Sequence, residues 1–118
     1  MSEIIELQEA DFDAKVLQET RPVLVDFWSP TCGPCRALAP VVAALAAANG
    51  DSAVIAKANA FETTNLAAKL GVAALPTILV FKNGEVVARL TGVQKQAALQ
   101  EILDANKKRA VQPNGAFF

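Results

Sequence analysis

The chain has 118 residues, 53% of them hydrophobic, with two Cys, no His and no Tyr. That length suits one compact domain with its own core, and no apolar run approaches the roughly 20 residues of a membrane span. Eleven basic against twelve acidic residues give a net charge of −1, no electrostatic footprint for nucleic acid, and the missing His removes His-based nucleophile systems and His-ligated zinc.

The first residues, Met1-Ser2-Glu3-Ile4-Ile5-Glu6, lack a basic region followed by an apolar stretch. No signal peptide is visible, and a cytoplasmic home is expected, where structural disulfides are rare. Residues 4–7 predict a short strand. Residues 11–17 predict a short helix, with Asp11 as its cap and Phe12 and Val16 inward. Val23-Leu24-Val25-Asp26-Phe27-Trp28 is an apolar run broken by one acid. Continuous rather than alternating hydrophobicity predicts a strand covered on both faces.

A helix is predicted over residues 33–49, with Leu38, Val41, Val42 and Leu45 at helical spacing and Gly50 as its stop. Pro40 lies inside it and is expected to kink it. Residues 52–58 predict a strand, and residues 63–70 a short helix stopped by Gly71. Residues 77–82 and 85–90 flank Asn83-Gly84, the dipeptide that a tight hairpin prefers because both turn residues need positive φ. Residues 95–108 predict an amphipathic helix with Leu99, Ile102 and Leu103 inward, and its basic end suits the helix dipole. Residues 1–109 thus read as one domain and residues 110–118 as a loose tail. The order β-α-β-α-β-α-β-β-α gives an α/β layer design with a mixed sheet.

Cys32-Gly33-Pro34-Cys35 sits where a buried strand hands over to a helix. Free N–H groups and the dipole at the helix N-terminus stabilise a thiolate at Cys32. Cys35 lies one turn further, and Pro34 fits the first turn, where its missing N–H costs nothing. Arg36 adds positive charge. Redox exchange is the reading that uses both the spacing and the placement. A purely structural disulfide would contribute only about 2 kcal/mol for so small a ring. Two inert buried thiols, or half of a metal site shared between chains, are the remaining readings.

The wider pattern resembles the thioredoxin family. Val25-Asp26-Phe27-Trp28, Cys32-Gly33-Pro34-Cys35-Arg36 and Ala39-Pro40 are similar to its central motif. Val72-Ala73-Ala74-Leu75-Pro76-Thr77, Phe81-Lys82-Asn83-Gly84 and Gly92 match its later motifs in order and spacing. The resemblance covers about residues 4–108. It implies a five-stranded mixed sheet flanked by four helices. It implies a disulfide-reducing activity in which Cys32 attacks, Cys35 resolves and the pair ends as a disulfide. No bound cofactor or metal is implied. Electrons would come from NADPH through a thioredoxin reductase, and the other partners would be disulfide-containing client proteins. A monomer is expected. A thioredoxin-like binding module, or an isomerase or oxidant, is the alternative reading. Gly33-Pro34 adds no charge that would hold Cys32 as a thiolate, as an intervening His would, which favours a reducing poise, while the helix terminus and Arg36 act in the other direction.

A lone acid in an apolar strand is costly to ionise, so Asp26 is expected to hold its proton to higher pH, unless its face is solvated or a partner neutralises it. With no His present, a proton handler for Cys35 must be a carboxylate, an amine or water. The resemblance implies Asp26 for that role, with Lys57 as its partner. It implies a cis Leu75-Pro76 bond opposite the pair, with Ala74 and Leu75 offering backbone to an extended client. It places Trp28, Thr31, Gly33, Pro34 and Gly92 on the client-facing rim. Two positions depart from the family pattern. Thr31 stands where a second tryptophan is usual, and Phe61 where an acid commonly accepts a hydrogen bond from the Trp28 indole. Phe117-Phe118 in the tail resembles nothing in the family.

Overall fold

The computed structural model describes residues 3–107. In chain order it contains β1 (Ile4–Glu6), a 3-10 turn (Glu9–Asp11), a π-helical turn (Asp13–Leu17), β2 (Val23–Trp28) and α1 (Gly33–Asn49). Then come β3 (Val54–Asn59), α2 (Thr64–Lys69), β4 (Thr77–Lys82), β5 (Glu85–Thr91) and α3 (Gln96–Lys107). Counting the two N-terminal turns as one helical segment, four helices flank one five-stranded sheet of order β1-β3-β2-β4-β5.

The sheet is mixed. β3 pairs parallel with both β1 and β2, and β4 pairs antiparallel with β2 and β5. β2 is therefore central, and its residues from Val23 to Phe27 have no accessible surface. Alternation splits its side chains between two apolar layers. Val23, Val25 and Phe27 pack with Phe12, Val16 and Leu66 under the N-terminal segment and α2. Leu24 packs with Leu38, Val42, Leu45, Leu99 and Leu103 under α1 and α3. Asp26, two residues beyond Leu24, falls on the α1 face.

The hairpin forms as expected, with Asn83 at φ 53° and Gly84 at φ 80°. A Cβ on Gly84 would stand 3.1 Å from the Leu17 carbonyl oxygen, so close approach adds to the φ requirement. β5 carries one irregularity. Phe81 pairs with Val86 while the preceding Val80 pairs with Ala88, which leaves Val87 without a partner.

Several boundaries differ from the expectations. Asp11 is not the cap of the first helical segment. The segment opens earlier, as a 3-10 turn at Glu9, and Asp11 Oδ2 instead accepts from the Gln8 N–H at 3.1 Å. β3 starts at Val54 because Ser52 folds back, its N–H (2.9 Å) and hydroxyl (2.6 Å) both donating to the Asn49 carbonyl. α1 spans Gly33–Asn49 as expected, with Pro40 inside it and exposed. Lys108, Arg109 and the tail with Phe117-Phe118 lie outside the described residues.

Candidate functional site

β2 ends at Trp28, and the following turn delivers Cys32 to the N-cap of α1 with extended backbone (φ −93°, ψ 110°). The Cys32 N–H donates to the Ser29 carbonyl at 3.3 Å, which fixes that turn. Pro34 occupies the first helical turn, as the sequence suggested. Cys32 and Cys35 form a disulfide, with Cα atoms 5.3 Å apart. The Cys35 N–H donates to Cys32 Sγ at 3.2 Å, so a helix N-terminal donor is already aimed at that sulfur. Cys32 is half-buried, whereas Cys35 is 5% exposed. Cys32 is thus the more accessible residue of the pair. Thr31, Gly33, Pro34 and Arg36 around the pair are exposed.

Behind the disulfide, Trp28, Ser29, Pro30, Cys35, Arg36, Ala39 and Lys57 line a recess of about 150 Å³. Lys57 lies beside Asp26 in the parallel register of β2 and β3. Its Nζ also sits 4.8 Å from the centre of the Trp28 ring, within cation–π range. Asp26 does not line the recess. Its carboxylate is fully buried and neither oxygen has a hydrogen-bond partner. Its pKa is raised to about 6, the net of burial, which pushes it up most, Lys57, which pulls it down, and Glu6, which pushes it up. Glu6 is a member of this row that the sequence reading missed. It pairs with Lys57 across β1 and β3, so Asp26, Lys57 and Glu6 form one line over three strands. Only the strand order makes them neighbours.

The parallel and antiparallel pairings bring the C-terminal ends of β2, β3 and β5 and the start of β4 to one end of the sheet. The later motifs therefore arrive beside the disulfide. The Leu75-Pro76 bond is cis. Pro76 is buried, Leu75 half-buried and Ala74 exposed. Among the described residues no backbone hydrogen bond engages Leu75. Gly92 has φ 84°, its N–H donates to the Pro76 carbonyl at 2.9 Å, and nothing stands within 4 Å of where its Cβ would be. The Trp28 indole N–H is buried without an acceptor. Phe61 is 60% exposed. Among the described residues no group of three metal-ligating side chains converges, and no helix is long and apolar enough to cross a membrane.

A disulfide-bonded cysteine pair at a helix N-terminus, its first residue more accessible than its second, is the arrangement of a thiol–disulfide exchange site. Comparison with known proteins agrees. The thioredoxin family model matches residues 3–105. Thioredoxin 1 of Synechococcus elongatus is 38% identical over 104 residues, 88% of this chain and 97% of that protein. The thioredoxin of Haemophilus influenzae is also 38% identical over 104 residues, with the same coverage. The thioredoxin of Staphylococcus aureus strain Mu50 is 44% identical over 101 residues, 86% of this chain and 95% of that protein. The chain belongs to the thioredoxin family, and it is a thiol–disulfide oxidoreductase that reduces protein disulfides.

Proposed function

We propose that Cys32 is the attacking sulfur and Cys35 the resolving one. The carrying observation is the difference in access: Cys32 is half-buried at the helix cap and Cys35 is buried behind it. In the reduced chain, the Cys32 thiolate attacks one sulfur of a client disulfide. That S–S bond breaks, a mixed disulfide forms, and the other client sulfur leaves as a thiolate that takes up a proton. Cys35 then loses its proton and attacks Cys32 Sγ. The mixed bond breaks, Cys32–Cys35 forms, and the second client sulfur leaves as a thiolate. Two electrons pass to the client, and the chain ends oxidised.

Asp26 accepts the Cys35 proton in this scheme, and Lys57 tunes it. The support is a buried carboxylate with a raised pKa, in register with a lysine that shares a recess with Cys35. Leu75 offers backbone groups to an extended client segment beside cis-Pro76, with Ala74 alongside. Trp28, Thr31, Gly33, Pro34 and Gly92 form the rim. A thioredoxin reductase drawing on NADPH restores the dithiol, and the chain acts as a monomer in the cytoplasm. The uncharged Gly33-Pro34 pair keeps the poise reducing.

Incubation with an oxidised client tests the two roles. Cys35→Ser should accumulate a mixed disulfide through Cys32, visible by mass spectrometry, while Cys32→Ser should form none. Trapping through Cys35 in the Cys32→Ser chain would reverse the assignment.

A further inference from the structure

β3 ends at Asn59 opposite Trp28. The Ala60 N–H donates to the Trp28 carbonyl at 2.8 Å, and the Phe61 N–H donates to Asn59 Oδ1 at 2.9 Å. This turn holds Phe61 at the disulfide end of the sheet, 60% exposed. On the far side, β5 ends at Thr91 and leads through Gly92 to Val93, which is 50% exposed. Among the described residues the other exposed large hydrophobics, Val86 and Val87, lie along β5. At this end Thr31, Gly33, Pro34, Ala73 and Ala74 are exposed and uncharged, while Arg36 beside the pair and Glu62 beside Phe61 are exposed and charged.

β3 and β5 are separated by β2 and β4. Three strand spacings amount to roughly 14–15 Å. An extended chain rises about 3.3 Å per residue, so about four residues span that distance. Cys32 leaves β2 and Pro76 enters β4, both inside this interval. A client cysteine bonded to Cys32 Sγ must lie there too. Its neighbours two residues away on either side share one face of an extended segment and extend toward Phe61 and Val93.

We propose that Phe61 is a specificity-determining residue for disulfide clients. It receives a bulky apolar side chain two residues from the client cysteine, in an extended segment laid across the disulfide end of the sheet. The occupant is the client itself, because Phe61 and Cys32 share one end of the sheet and the mixed disulfide pins the segment over that end. This inference rests on Cys32 being the attacking sulfur.

The test uses the reduced full-length chain and two peptide disulfides. In one, Leu flanks the cysteine two residues away on both sides; in the other, Ser stands at those positions. The wild-type chain should favour the Leu peptide in kcat/KM by about five- to tenfold. Phe61→Ser should shrink that preference to the share owed to Val93, by raising KM for the Leu peptide with kcat unchanged. Phe61→Leu should keep most of it. Equal handling of both peptides by the wild type would overturn the proposal. So would an equal loss on both peptides in Phe61→Ser, or a change confined to recycling by the reductase. Cys32→Ser run in parallel separates the two possible failures. Reduction that persists without Cys32 defeats the site assignment, whereas lost discrimination alone defeats only the role of Phe61.

Discussion

Asp26 concentrates the physics of the site in one side chain. Folding removes its carboxylate from water and supplies no hydrogen bond in exchange. The folded chain therefore keeps a proton that the unfolded chain releases, over the interval from the ordinary value of 3.8 up to about 6. The unfolded state binds fewer protons in that window, so stability falls as pH rises through it. Above it, the buried anion costs on the order of 2–3 kcal/mol. Asp26→Asn removes the ionisation. In urea unfolding of the oxidised protein, the variant should be more stable than wild type by that margin at pH 7.5. The gap should close near pH 4, and a gap that stays constant with pH would contradict the burial account. The sequence showed Asp26 because an acid in an apolar run stands out. It hid Glu6, an ordinary acid in a three-residue strand, until the register of β1 on β3 put it beside Lys57.

At the scale of elements, α2 depends on a residue from elsewhere in the chain. Six residues are too few to hold a helix by propensity alone. Its N-cap Thr63 makes no side-chain cap, and its hydroxyl donates instead to the Asn59 carbonyl at 2.9 Å. Glu9 supplies the missing acceptor, taking the Leu66 N–H at 2.8 Å. Glu9→Ala should cost about 1 kcal/mol. Hydrogen exchange at Leu66 and its neighbours should quicken, while disulfide reduction continues at the wild-type rate. Unchanged exchange in α2 would rule this cap out. No sequence pattern points across 57 positions from Glu9 to Leu66. By contrast, Asn83-Gly84 declared its hairpin outright, since the turn chemistry is complete within two residues. The long α1 was equally legible, with Pro34 at its start and Gly50 at its end. Local rules located the elements, and strand order decided which side chains meet.

At the scale of the molecule, α1 is fixed at both ends by different chemistry. Its first turn carries the disulfide. Its last residue, Asn49, is buried and has every polar group satisfied. The amide nitrogen donates to the Leu45 carbonyl (2.7 Å) and Gln100 Oε1 (2.9 Å). The amide oxygen accepts from Gln100 Nε2 (2.8 Å) and Lys107 Nζ (2.7 Å). α3 is thereby held to α1 about 25 Å from the cysteines, at about 1.5 Å per residue. Asn49→Ala should destabilise the chain by about 2 kcal/mol in denaturant unfolding. Its rate of disulfide reduction should stay that of wild type. A slowed reduction in a fully folded variant would mean that the two ends of α1 are coupled.

The irregularity at Val87 bears on how this molecule behaves in a crowded solution. β5 is a sheet edge, and an edge strand is a template on which another chain can add. Here the template is broken, because Val87 interrupts the ladder between Val86 and Ala88. A second β5 would meet it out of step, which disfavours pairing through the exposed Val86 and Val87. Deleting Val87 restores an even edge. That variant should associate with itself as concentration rises, which sedimentation would detect, while the parent chain stays unassociated.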